Sequence, residues 1–472
     1  MIRTVAQKEL IEMTRDGRFR CASGIVLALL LGAVVLGWQH YRDINAQQDL
    51  AQRATREQWL NQGVKNPHSA AHYGVYAFKP KMPLSLVDQG VDPYTGVAVW
   101  LEAHKQNEFK YRPAQDSTAV QRFGELTGST VLQLLIPLVI ILMTFSAFAA
   151  EREQGTLRQL LSLGVKRSDL AWGKALGIAG GLGMLLVPAT VLGVVALSLS
   201  SEDGAFQGSL PRMAMMGATY LLYFAVMIGV SLAVSARARS SRFALVTLLG
   251  FWIVNGLIAP RAVADLARYI YPTPSAFEFG RRMELALQNG IDGNDPADRR
   301  AAELRAAVMK KYNVTSMDAL PVSFQGISLQ AGEEHGNEVF DHYYSQLWNT
   351  FQQQEHVHQA LALVAPALSV RSLSMAFAGT DFAQHSQFAR AAEDYRRQIQ
   401  RVMNEDLTNH KPGDGPYVRG RDLWERVPRF EYRAPDAAWV IGRQSTALGI
   451  LILWTFGAIA LAWWATSRLR AD

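Results

Sequence analysis

The sequence predicts an α-helical polytopic membrane protein, with six transmembrane helices plus a mainly helical periplasmic domain carrying a small strand-containing patch. Three observations predict it. Six apolar runs lie at about 21–40, 130–150, 173–199, 212–234, 243–260 and 444–465. Each approaches or exceeds the roughly 18 to 20 residues that cross a hydrocarbon core of about 30 Å. Two long polar blocks, 41–129 and 261–440, interrupt them. Charged residues make up 19 % of the chain, below the roughly 25 % usual in soluble domains.

The elements follow in order. Residues 1–20 place Val5, Leu10, Ile11 and Met13 among Arg3, Lys8, Arg15, Arg18 and Arg20. This fits a cytoplasmic amphipathic helix in the interface, basic groups toward anionic lipid headgroups. The uncharged run that begins at Cys21 lacks a small-x-small cleavage site after it, so it reads as an uncleaved anchor with its N-terminus inside. Residues 41–62 read as a helix continuing out of the membrane. Between 66 and 107, Pro, Gly and Asp punctuate β-leaning runs at 73–78 and 96–100. The third span carries Gly173, Gly177, Gly180, Gly181 and Gly183, small residues that let helix backbones approach closely; Pro188 would kink it. Asn255, alone in the fifth span, reads as an interhelical hydrogen-bonder. Residues 277–287, 297–312, 333–363 and 381–407 have helical composition, and the run KPGDGP at 411–416 ends the last of them. The apolar side of 366–381, with Leu368, Val370, Leu373, Met375 and Phe377, is expected to pack the domain against the membrane-proximal surface. The two exterior blocks are expected to form one joint domain.

Counting crossings from an inside N-terminus leaves 1–20, 151–172, 235–242 and 467–472 inside. All four carry Arg or Lys close to a span, as the positive-inside rule asks. All ten histidines fall in the two exterior blocks when the first is taken from residue 39. In a bacterial cell this is an inner-membrane protein with both termini in the cytoplasm. The net charge of +6 is explained by topology and implies no nucleic-acid partner.

The stretch 151–172 is polar, helix-forming and held between two uncharged apolar runs, 130–150 and 175–199. It reads as an amphipathic coupling helix on which a cytoplasmic motor protein pushes; the plainer reading is a basic anchoring loop. Glu151, Arg152, Glu153, Gly155, Thr156, Leu157, Arg158, Leu160, Lys166 and Arg167 are the candidate coupling residues. Glu151 and Glu153 would complement the helix dipole at its start, while Arg158, Lys166 and Arg167 would pair with acids on the motor.

No G-x-x-x-x-G-K-[ST] phosphate loop occurs. This chain therefore takes no cofactor of its own, and ATP and Mg would act on a partner subunit. Metal-ligand candidates are His335, Glu338 and His342 at i, i+3 and i+7, and His356 with His358; Asp341 and Glu355 sit beside them. None has the tight spacing of H-E-x-x-H, and ordinary polar surface explains them. Serines between 366 and 381 lie near Asp381 and His385, but no G-x-S-x-G elbow occurs, so a hydrolase is disfavoured. One cysteine, Cys21, excludes a disulfide framework. Uncharged spans argue against a buried proton relay.

The motif Glu151, Arg152, Glu153, Gly155, Thr156, Leu157, Gln159, Leu160, Leu161 and later Lys174, with Lys8-Glu9-Leu10 and Arg15-Asp16-Gly17-Arg18-Phe19 in the N-terminal helix, resembles the type-2 ABC transporter permease family of the type V exporter fold. The exterior stretch Asn66-Pro67-His68, His72-Tyr73-Gly74 and Leu101-Glu102-Ala103-His104 looks like a subfamily with large periplasmic loops and a domain of unknown function. The resemblance implies a permease subunit, no enzyme itself, that dimerises with itself or a sister chain and binds two ATP-binding subunits. A periplasmic partner protein fits the size of the exterior domain. Two alternatives stand beside this reading: a membrane-anchored periplasmic scaffold or sensor, and a metal-linked transporter serving periplasmic metalloprotein maturation.

Overall fold

The computed structural model describes residues 1–116, 126–200, 205–410 and 416–469. The 411–415 part of the KPGDGP run lies outside them. Among the described residues, six helices are long and apolar enough to cross a membrane: Gly17–Leu60, Gly128–Glu153, Arg167–Leu199, Phe206–Arg237, Ser241–Ile270 and Ser445–Ser467. Each coincides with one of the six apolar runs to within one residue or extends beyond it, and the chain is a multi-pass membrane protein.

Helix α1 (Ile2–Arg15) ends where Asp16 turns extended and accepts from the Arg18 N–H at 2.8 Å, capping α2 (Gly17–Leu60). At 1.5 Å per residue, the 44 residues of α2 reach about 66 Å. Half of it therefore projects beyond the membrane, as the composition of 41–62 indicated. After it come α3 (Pro67–Tyr73), β1 (Val75–Phe78), β2 (Ala98–Glu102) and β3 (Lys105–Gln106). The three strands form an antiparallel sheet in the order β1-β2-β3, with Val75 opposite Leu101 and Glu102 opposite Lys105. This is the expected small strand patch.

The second span is α4 (Gly128–Glu153). The stretch 151–172, expected as one helix, is instead broken twice. Gly155 and Gly164 both take the left-handed conformation, φ +74° and +78°, which glycine adopts at no steric cost. They isolate a short helix α5 (Thr156–Ser162) between the end of α4 and the start of α6 (Arg167–Ser200). Glu151 lies in the first turn of the short helix Ala149–Glu153 that ends α4, and Glu153 is its last residue. The helix of the third span begins earlier, at Arg167, with Asp169 in its first turn. Helices α7 (Ala205–Arg237) and α8 (Ser241–Ile270) follow.

Beyond the spans run α9 (Ala276–Asn289), α10 (Ala297–Tyr312), α11 (Phe324–Leu361), α12 (Pro366–Ala378) and α13 (Phe382–Asn409); α14 (Ala437–Arg443) leads into the last span, α15 (Ser445–Ser467). Helix α11 begins well before the expected 333. Its amphipathic face meets α13, and Glu333, Gly336, Val339 and Phe340 are buried there.

The two polar blocks form one domain. Trp59 at the end of α2 is fully buried against Trp424, with ring centroids 6.1 Å apart, and its indole N–H donates to the Trp424 carbonyl at 2.9 Å. Lys65 and Arg419 exchange backbone hydrogen bonds of 3.0 and 2.8 Å. One apolar core joins Ala70, Val75, Val99 and Leu101 of the first block to Phe388, Ile399, Met403 and Val427 of the second.

Helix α12 does more than pack against the membrane-proximal surface. Val370, Leu373 and Phe377 belong to the same core as the spans. Asn255 donates to the Tyr223 hydroxyl at 3.1 Å and accepts from the Ala367 N–H at 3.0 Å, the interhelical role expected of it. Arg212, buried in α7, donates to the Ala376 and Phe377 carbonyls at the C-terminal end of α12, to Gln384 and to the Pro435 carbonyl. A cation there satisfies carbonyls the helix leaves open.

Trp424→Ala is expected to lower stability by about 3–5 kcal/mol through the cavity it leaves. It should also open the joint between the two blocks; limited proteolysis of the solubilised chain near residues 60–66 checks this.

Candidate functional site

The candidate coupling residues lie at the end of the bundle opposite the extramembrane domain. The four segments expected on one side meet there. Arg152 donates to the carbonyls of Ala236 and Ala238, both at 2.6 Å, closing the end of α7. The Glu153 carboxylate accepts from the Ser241 N–H and hydroxyl at 3.1 and 2.7 Å, holding the start of α8. Arg167 donates to the Leu469 carbonyl at 3.2 Å. The turn at 145–148, where α4 tightens, is closed by Ser235, which accepts from the N–H groups of Phe148 and Ala149 and donates to the Phe145 carbonyl.

The centre of this end is Lys174, 1 % exposed. Its ammonium donates to Glu9 at 2.5 Å and to Glu151 at 2.9 Å, and lies over the Phe148 ring at 5.4 Å. Lys8 reaches the same Glu151 oxygen at 3.2 Å. Helix α1 can come this close because α6 presents glycine. A Cβ on Gly173 would stand 2.5 Å from Val5 Cβ, and one on Gly177 would stand 2.7 Å from Glu9 Cβ. Gly180 and Gly181 also face this N-terminal helix, through Leu10 and Met13, and Gly181 meets Met143 as well.

Within this frame the ten candidates divide. Glu151, Arg152, Glu153 and Leu157 are internal fasteners. The Thr156 hydroxyl donates to the Glu151 carbonyl at 3.2 Å, and Gly155 supplies the turn. Leu160 is half-buried, and Arg158, Lys166 and Arg167 are exposed, with Arg167 spoken for by Leu469. Leu163, which the reading of the sequence passed over, is 80 % exposed. A cleft of about 590 Å³ opens beside α5, lined by Lys8, Glu12, Gln154, Gln159 and Leu163. What the arrangement offers is a small protruding helix on a braced corner.

The sequence of this corner and of the extramembrane domain can now be compared with known proteins. The family described as ABC-2 family transporter protein matches residues 96–255, a range that includes α4 to α7 and most of α8's apolar run. A domain of unknown function, DUF3526, matches residues 279–433. Residues 96–255 are thus similar to ABC-2 family transporter proteins. It is 31 % identical over 131 residues to the probable ABC transporter permease protein NosY of Pseudomonas aeruginosa, a stretch covering 26 % of this chain and 45 % of that one. The match therefore spans less than half of that relative's length.

The other sequence candidates do not assemble. His335 meets the Leu287 carbonyl at 3.2 Å and His342 meets Gln346 at 2.8 Å. Glu338 joins neither in a ligand group among the described residues. His356 and His358 line a cavity of about 390 Å³ together with Glu355, Asp381, Arg390 and Arg443. Burial raises the Glu355 carboxyl to about 7, against hydrogen bonds from Ser372 and Gln359 that lower it. The proposed serine site is not formed among the described residues. Asp381 caps α13 through the Gln384 N–H, Ser374 bonds Asp88 and Tyr220, and burial drives His385 down to about 3. Ligand-type side chains that do converge are His68, His72 and His104, whose candidate atoms all lie within 4.8 Å of one another.

Lys174→Met is expected to cost about 3–5 kcal/mol, because it strands two buried carboxylates. Glu9→Gln and Glu151→Gln added to it should restore most of the loss; thermal unfolding in detergent compares the single and triple variants. Glu355 gives a pH prediction. Its folded pKa is raised, so its contribution is fully present below about 4.5 and is lost as pH rises through about 7. Thermal melts across that window should show stability falling with pH, and Glu355→Gln should flatten that component.

Proposed function

We propose that this chain is the membrane-spanning permease subunit of an ABC exporter in a bacterial inner membrane, driven by ATP and Mg bound on two separate cytoplasmic ATP-binding subunits. A second permease, identical or a sister chain, completes the path. The observation that carries the reading is the exposed helix α5, set between two left-handed glycines and seated on an ion-paired corner. ATP-driven transport needs one element that receives force and a rigid connection behind it. Helix α5 offers Arg158 and Leu163 outward, and Leu157 anchors it inward. Behind it Glu151 and Lys174 tie α4, α6 and α1 into one body, so a displacement of α5 moves three elements together. The basic residues at this end support a cytoplasmic orientation, and the extramembrane domain then stands in the periplasm. Export rests on the resemblance of the 151–174 motif.

The test is co-purification of the tagged chain from native membranes with an ATPase assay. Arg158→Glu with Leu163→Asp is expected to lose the co-purifying ATP-binding subunit, or to uncouple its activity, while membrane insertion and thermal stability stay unchanged. Full retention of a substrate-stimulated ATPase in that variant would remove α5 as the coupling element. Absence of any ATP-binding subunit from the wild-type preparation would leave the scaffold or sensor reading in its place.

A further inference from the structure

Three imidazoles meet on the surface of the extramembrane domain with the geometry of a metal site. His68 and His72 are one turn apart on α3, so both project from one helix face. The helix is fixed at that place by its own start. Asn66 accepts from the His68 N–H at 2.9 Å, and Pro67 occupies the first turn, where no N–H is needed. The third, His104, sits in the β2–β3 turn with φ +63°. A non-glycine residue there is uncommon and points to a constraint.

The constraint is Glu333 on α11, whose side chain is 3 % exposed. Its carboxylate accepts from the His104 N–H at 3.1 and 3.2 Å and pairs with the ring Nδ1 at 2.5 Å. Gln400 donates to the other side of the same carboxylate, and the Arg396 guanidinium lies 3.7 Å away. A carboxylate holding Nδ1–H leaves Nε2 of His104 with its lone pair outward. This is the supporting pattern of metal-bound histidines.

The three Nε2 atoms converge. His68 Nε2 is 3.2 Å from that of His72 and 3.2 Å from that of His104. A ring nitrogen carries either one N–H or one in-plane lone pair, so His68 cannot serve both neighbours with ordinary hydrogen bonds. A cation bound by imidazole at about 2.0–2.1 Å in tetrahedral geometry separates its ligand atoms by about 3.3–3.4 Å. The observed spacings fit that edge.

We propose that His68, His72 and His104 bind one divalent transition-metal cation of the zinc–copper class through their Nε2 atoms, with Glu333 as the positioning carboxylate. The three rings are half-buried or exposed, so the fourth position faces solvent and is open to water or an incoming ligand. Imidazole-only donors suit zinc, copper and nickel over magnesium or calcium, which prefer oxygen. The cation would join α3 to the β2–β3 turn within the first polar block, with Glu333 of the second block supporting His104 from α11. The site is distant from α5 and independent of the permease reading.

The experiment uses the full-length chain in detergent, stripped with chelator and titrated with Zn²⁺, then with Cu²⁺ and Ni²⁺ in competition. One equivalent of Zn²⁺ is expected, with a rise in melting temperature on binding. Co²⁺ substitution should give the intense visible absorption of a four-coordinate site. His68→Ala, His72→Ala and His104→Asn should each weaken binding by more than the roughly 10- to 100-fold that loss of a supporting partner costs, and Glu333→Gln should fall inside that range. Asparagine is chosen at 104 because it tolerates positive φ. His335→Ala and His356→Ala are controls and should bind as wild type. No stoichiometric uptake of any of the three metals, or equal binding by the three ligand variants and the wild type, overturns the proposal.

Discussion

One buried ammonium holds the functional end of this protein together. Lys174 lies inside the third span, withdrawn from water, and a lone cation there would be prohibitive. Glu9 and Glu151 make it tolerable, and they come from two other elements. The pairing therefore fixes where α1 docks, how α4 ends and where α6 begins. Its specificity follows from geometry as much as from charge. Without glycine at 173 and 177, α1 could not approach closely enough for Glu9 to reach the ammonium. Small residues in the span and acids outside it are parts of one device.

The opposite end of the bundle is built on a different principle. There helix capping by polar side chains does much of the joining. Arg212 closes α12 through its carbonyls, and Asn255 closes its start through the Ala367 N–H. Tyr220 shares a hydrogen bond of 2.7 Å with Ser374, which in turn donates to buried Asp88 at 2.5 Å. A helix that belongs by sequence to the extramembrane block is thus held as part of the membrane core. The domain is seated on the spans by backbone capping. In a low-dielectric setting this is an economical way to satisfy helix ends.

Much of the architecture could be read from the chain. The six spans, the continuation of α2, the strand patch and the helix at 297–312 follow from hydropathy, periodicity and turn residues, which are local properties. The role of Asn255 was also legible, since a lone amide in an apolar run needs a partner. Helix α5 was harder. The composition of 151–172 is helical throughout, and only the left-handed turns at Gly155 and Gly164 divide it. The serines of α12 looked available beside His385 and Asp381. In the structure Asp381 caps α13 through Gln384, and Ser374 bonds Asp88 and Tyr220.

The sequence by itself determined that this is a six-span helical protein with a large domain outside the membrane, and that its basic, motif-bearing segments belong at one end. Those features depend on residues near one another in the chain. Only the tertiary structure decided which charges meet and which histidines converge. Glu9 and Lys174 are 165 residues apart, and His104 and Glu333 are 229 apart. No local pattern encodes such pairs, because the close approach is set by helix docking and by the core that joins the two polar blocks. The candidate histidines at 335 and 342 could share a helix face by spacing, yet α11 spends them separately. His68, His72 and His104 converge because a capped seven-residue helix and a strained β-turn are pressed together over one buried carboxylate.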